Sequence, residues 1–177
     1  CVLALCSGRH FGLTVDDNSL RLAGTFLESC TSPDGHLGYQ RAGEPSARKP
    51  GDHGKRFPPQ RTDALTAVGL FCRVFLGQDP NEQPAMRAAG ERLRANLPRW
   101  DPKQGTIDFY YWYYGTYALF QLGGPAWTEW SKALTQAVVR TQREGGNEHG
   151  SWDSVDAWGE DGGRVYSTAI LALTLQA

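Results

Sequence analysis

The chain has 177 residues, 40% of them apolar, 11% aromatic and 21% charged, with a net charge of −1. That length suits one domain or part of a larger one, and the aromatic content excludes a disordered chain. The near-zero charge argues against a nucleic-acid partner, which needs a clustered positive excess. Mean hydropathy is −0.47, and no apolar run approaches the ~20 residues that span a bilayer.

In chain order, Cys1-Val2-Leu3-Ala4-Leu5-Cys6 reads either as the end of a signal h-region or, preferred here, as the tail of an inner helix. Asp16 and Asp17 stand just ahead of a stripe formed by Leu20, Ala23, Phe26, Leu27 and Cys30, where they fit helix capping. Residues 41–61 carry four prolines, three glycines and six basic residues against Glu44 and Asp52. This basic insertion reads as a mobile solvated loop, with a lid or anion-docking loop as the alternative.

Helices are predicted at Thr62–Gly77, Phe109–Leu122 and Arg164–Gln176. The first two are apolar nearly all round, so these are inner helices wrapped by neighbours. Between them lie single-stripe helices: Met86, Ala89, Leu93, Leu97 and Trp100, then Trp127, Trp130, Leu134, Ala137, Val138 and Thr141. One stripe means one face on a core and one in water. Thr66, Thr116 and Thr168 recur at spacings of 50 and 52 residues (116 minus 66, 168 minus 116). The pattern is a repeat of outer helix, turn and inner helix, and the expected class is all-α, built from stacked helical hairpins. Residues 1–177 form a single repeat domain.

Gln142, a glycine-rich turn and Gly150-Ser151-Trp152 resemble the Gln-turn-Gly-x-Trp repeat of squalene–hopene cyclases and protein prenyltransferase β-subunits. Pro33-Asp34-Gly35-His36-Leu37-Gly38-Tyr39 is similar to a degenerate version. Tyr111-Trp112-Tyr113-Tyr114-Gly115-Thr116, and Trp152-Asp153 followed by Gly162-Gly163-Arg164-Val165-Tyr166-Ser167-Thr168-Ala169, resemble the C-terminal part of bacterial prenyltransferase/squalene-oxidase-repeat proteins. The resemblance covers essentially the whole chain. It implies an α/α toroid, a ring of hairpins around a cavity, of which this chain is a partial arc. The repeat residues are glue: Gln142 ties the turn to nearby backbone, and Trp152 covers a junction between hairpins.

The catalytic motifs of that superfamily are missing. Thr14-Val15-Asp16-Asp17 lacks the first acid of Asp-x-Asp-Asp. Ser167 occupies the position of the prenyltransferase zinc-ligand His, and Asp108-Phe109-Tyr110 lacks the paired Cys. There is no Gly-Cys-Gly-Glu-Gln thioester string. The four cysteines, Cys1, Cys6, Cys30 and Cys72, form no Cys-x-x-Cys, read as buried small hydrophobes, and do not fix a compartment. No metal and no cofactor is expected.

Two features remain. Asp153, Asp156, Glu160 and Asp161, beside Trp152 and Trp158, read as a solvated acidic loop; a calcium site and an acid/base pair are the alternatives. The aromatic wall from Phe109 to Phe120 holds five tyrosines in eight residues. Buried Tyr hydroxyls need partners, so part of this wall is expected to line a cavity. The cavity candidates are Asp108, Trp112, Tyr113, Tyr117, Asp153, Trp158 and Tyr166. The leading functional reading is a non-catalytic module that binds a hydrophobic or carbohydrate ligand, or a protein partner. The alternatives are an isoprenoid-processing enzyme whose acid lies outside this segment and a polysaccharide-binding or cleaving toroid. An open arc would expose its concave face, so self-association or docking of a partner chain is expected across Tyr113, Tyr117 and Phe120.

Overall fold

The computed structural model describes residues 1–177. More than half of them lie in eight α-helices: α1 (Val2–His10), α2 (Asp17–Cys30), α3 (His53–Arg56), α4 (Ala64–Phe75), α5 (Pro84–Ala95), α6 (Phe109–Leu122), α7 (Gly124–Val139) and α8 (Gly159–Thr174). The only β-type pairing is an isolated bridge between Thr31 and Leu37. The protein is all-α.

Local chemistry sets the helix ends. The Asp16 carboxylate accepts from the backbone N–H of Asn18 and Ser19 at 3.1 and 3.2 Å, which satisfies two orphan donors of α2. Asp108 does the same for α6, accepting from Tyr111 N at 3.1 Å. Pro84 and Pro125 sit in the first turns of α5 and α7, where a missing N–H costs nothing. α8 is broken at Gly163 (φ 61°, ψ −164°). Its regular run therefore starts at Arg164, as the periodicity predicts.

Packing separates inner from outer helices. α6 lies between α4 and α8, and α1 flanks α4. α5 and α7 contact one another and back α4 and α6. The core between these layers contains Leu70, Met86, Leu93, Trp112, Leu119, Trp130, Val138 and Trp152. Burying each large apolar side chain stabilises by roughly 1.5–3 kcal/mol. The outer stripes behave as expected at Met86, Ala89 and Leu93 and at Trp130, Leu134 and Val138, all buried. In α2 the stripe is only half used, because Phe26 is 53% exposed while Leu27 and Cys30 are buried.

The three repeat threonines are junction acceptors. Thr66 Oγ1 accepts from the backbone N–H of Leu37 at 3.1 Å, and Thr168 Oγ1 from that of Trp152 at 3.3 Å. Thr116 Oγ1 accepts from the Trp130 indole at 2.8 Å. Gly115 makes room for that indole: a Cβ there would meet the ring at 2.6 Å.

Residues 41–61 are largely exposed, with two buried anchors. Ser46 and Phe57 are buried, and the segment crosses the molecule as a strap. Its cations find the acids of the 153–161 stretch: Lys49 pairs with Asp161 and Arg56 with Glu160. Two of the six basic residues of the strap thus pair with two of the four acids of the later stretch.

Candidate functional site

The site lies where the strap crosses the N-terminal ends of α6 and α8. Ser46, Ala47 and Arg48 come from the strap, Ala64 and Leu65 from α4, Tyr110 from α6, and Trp158, Asp161, Gly162 and Tyr166 from the last segment. Together they line a cavity of about 490 Å³, a volume within the range of ligand sites.

One charged pair closes its side. Arg48 Nη2 donates to Asp108 Oδ2 at 3.0 Å, with the two side chains 6% and 2% exposed. The same oxygen accepts from Thr62 Oγ1 at 3.0 Å, and Oδ1 caps α6 through Tyr111 N. Arg48 also donates Nε–H to Phe57 O at 3.1 Å and lies over the Trp158 ring. The Asp108 carboxylate is thus fully engaged and Arg48 has no charge to spare.

Asp156 is different. It is 1% exposed and accepts from Phe109 N at 3.3 Å, with the backbone N–H of Trp158 also favouring its charged form. Burial pushes its carboxyl up to about 7, and the neighbouring Asp108 charge adds to the rise. Burial also raises the Tyr166 phenol, with Asp156 and Asp108 contributing, and raises Tyr110.

Buried polar groups are nearly always hydrogen-bonded, so each exception calls for an explanation. This protein has five buried side-chain polar atoms without a well-formed hydrogen bond: Ser46 Oγ, His53 Nδ1, Asp156 Oδ1, Trp158 Nε1 and Tyr166 OH. Ser46, Trp158 and Tyr166 line the cavity. His53 donates Nε2–H to Ala157 O at 2.6 Å and packs against the Trp158 ring. Beyond burial, the Asp156 charge contributes to the rise of the Tyr166 phenol. Three of the five therefore belong to residues that line the cavity, and a fourth, His53, packs against one of them.

A second, smaller cavity of about 280 Å³ is lined by Tyr110, Tyr113, Tyr114, Tyr166, Ala169, Ile170 and Leu173. It shares Tyr110 and Tyr166 with the first. A larger cleft of about 650 Å³ between α1, α2 and α4 carries Arg9 paired with Asp17. None of the five unpartnered atoms is there.

The expected cavity residues divide. Asp108, Trp158 and Tyr166 meet at the first cavity, and Tyr113 lines the second. Trp112 does not reach either: it is 1% exposed in the core, against Phe109 and Trp100. Tyr117 ties α6 to α8 by donating its hydroxyl to Leu173 O at 3.0 Å. Asp153 faces away, held by a two-pronged Arg143 contact at 3.0 and 2.7 Å and by Arg164 at 2.7 Å. These guanidinium bonds, Arg143 first, keep its carboxyl below the usual range. Phe120 packs edge-on to Trp127 and stays 47% exposed. Ser46, Arg48, Tyr110 and Asp156 belong to the site without having been candidates for it. The one sequence signal for Asp156 was its place in the acid cluster, read there as an acid/base possibility.

No three His, Cys, Asp or Glu side chains converge as metal ligands, so the four acids of 153–161 do not share one ion. No helix is long and apolar enough to cross a membrane. No protein-family model matches this chain, and no match was found among curated proteins or solved structures.

Proposed function

We propose that this chain is a ligand-binding module of the α/α-toroid kind, akin to prenyltransferase/squalene-oxidase-repeat proteins. Its ligand sits between the strap and the starts of α6 and α8. The toroid part draws support from the inner row α4, α6 and α8 backed by α5 and α7. It is also supported by the repeat glue: Gln142 Nε2 donates to Gly150 O at 2.8 Å, and Trp152 is buried with its indole on Val138 O.

The ligand part rests on one observation, a cavity of about 490 Å³ lined mainly by apolar and aromatic groups, among them Ala64, Leu65, Tyr110, Trp158 and Tyr166, a volume and a lining that suit a small apolar ligand. The test is titration with Nile red, a neutral dye whose emission shifts blue in apolar surroundings. The dye is expected to bind, and Tyr166→Ala and Trp158→Phe to weaken binding while the far-ultraviolet spectrum is retained. Equal dye binding by wild type and both variants would overturn the assignment.

A second reading has its own observation. A carboxyl pushed up to about 7 by burial, near a carboxylate paired with an arginine, is the arrangement general acid catalysis uses. In this reading the module is an enzyme and Asp156 its proton donor. A carbon-13 titration of the Asp156 carboxyl tests it: a midpoint near neutrality supports the role, and one in the ordinary carboxylate range removes it.

A further inference from the structure

The smaller cavity, of about 280 Å³, lies along the seam between α6 and α8. Tyr110, Tyr113 and Tyr114 reach it from α6 at spacings i, i+3 and i+4, which put side chains on one helix face. Tyr166, Ala169, Ile170 and Leu173 answer from α8 at i, i+3, i+4 and i+7. The wall is almost wholly carbon, so the tyrosine rings line it and their hydroxyls scarcely do. Tyr110 and Tyr114 meet at 58° with centroids 4.7 Å apart, and Tyr113 and Tyr114 at 89° and 5.1 Å. Neither pair stacks, so the ring faces are not consumed in one another.

Two other tyrosines of α6 are fastenings. Tyr111 donates its hydroxyl to Asn96 O at 2.8 Å, and Tyr117 to Leu173 O at 3.0 Å. Joining of elements by such bonds does not account for the four cavity tyrosines.

We infer that this cavity is an aromatic cage for a quaternary ammonium group of the trimethylammonium kind. It is a second site and does not depend on the ligand reading above.

Size, hydrogen bonding and charge each narrow the guest. The volume falls just under the range of drug-sized ligand sites, about 300–1,000 Å³, so the cavity takes a small molecule or a single head group. A primary ammonium carries three N–H donors and a tight hydration shell, and a carbon wall offers those donors nothing. A quaternary head has no N–H to satisfy. Its methyl groups meet ring carbon while the ring quadrupoles attract its charge. An anion would face the negative side of those quadrupoles, and no basic side chain lines the cavity to hold it. After burial, carboxylate charge adds to the rise of two of the phenols: Asp108 for Tyr110, and Asp156 and Asp108 for Tyr166. These surroundings suit a positive guest.

Choline and its carbon isostere 3,3-dimethylbutan-1-ol share one shape, and only choline is charged, so the pair isolates the cation–π contribution. Each is titrated at constant ionic strength and followed through the Tyr113 and Tyr114 ring signals in a carbon-13 spectrum, assigned with Tyr113→Leu and Tyr114→Leu. Choline is expected to move both signals and to bind at least about fivefold more tightly than the alcohol. Tyr113→Leu keeps apolar bulk and removes a ring. It is expected to weaken choline about threefold and to leave the alcohol unchanged, and Tyr113→Phe to restore choline binding. If Tyr113→Leu does not fold, the ratio of choline to alcohol binding in the wild type decides alone. Tyr113 does not line the larger cavity, so loss of this site and loss of that one are separate results. Equal binding of choline and alcohol would show a cavity that is apolar and no cage, and the inference falls. It falls equally if neither compound moves the two ring signals.

Discussion

The Arg48 guanidinium lies 3.0 Å from the Asp108 carboxylate, across 60 residues of sequence and almost wholly out of water. This contact fastens the strap to the start of α6, and so joins the cavity roof to the core. Removing one partner of a buried pair leaves the other charge stranded, at roughly 3–5 kcal/mol. Arg48→Met is expected to destabilise on that scale, and Arg48→Met with Asp108→Asn distinctly less than the sum of the single variants. Urea unfolding of the four proteins measures this; full additivity would show that the pair is not coupled.

Trp152 is 3% exposed, packs in the main core and donates its indole N–H to Val138 O at 2.8 Å. Trp152→Ala is expected to cost roughly 3–5 kcal/mol from lost burial and the cavity left behind. An unchanged melting temperature would show that the junction does not depend on this ring.

Gly115→Ala places a methyl 2.6 Å from the Trp130 ring. That ring cannot swing aside freely, because its N–H is bound to Thr116. Overpacking of this kind costs about 1–3 kcal/mol. Gly54→Ala, where a Cβ meets nothing within 4 Å, is the matched control and is expected to be near neutral by thermal melting.

Asp156 gives a pH signature. Its folded-state value of about 7 stands above the 3.8 of an ordinary Asp, so between these values the folded chain holds a proton that the unfolded chain has released. Stability from this group is therefore complete below about pH 4 and falls as pH rises toward 7, by about 1 kcal/mol per pH unit. Asp156→Asn is expected to flatten that slope relative to wild type in urea unfolding between pH 4 and 7. Parallel curves for the two proteins would contradict the assignment.

Much of the helical frame was legible in the sequence because its signals are local. The Asp16 cap, the single stripes of α5 and α7 and the 50-residue threonine spacing each report on neighbours within a turn or a hairpin. The cavity was not legible, for two physical reasons. A helix apolar on every side, such as α6, carries no phase, so nothing in the pattern says that Trp112 faces the core while Tyr110 faces the cavity. The strap has the composition of a solvated loop. What docks it is a pairing with acids roughly a hundred residues away, such as Arg56 with Glu160, and long-range charge matching leaves no periodic trace.

Residues 45–51 of the strap make no backbone–backbone hydrogen bond to any part of the chain. They run between Gly43 and Gly51, both at positive φ (84° and 79°), where non-glycine residues are strained. A segment clamped by side chains alone, between two swivels, opens at a lower free energy than the helices beneath it. Added salt, by screening the exposed Lys49–Asp161 and Arg56–Glu160 pairs, is expected to lower that free energy further.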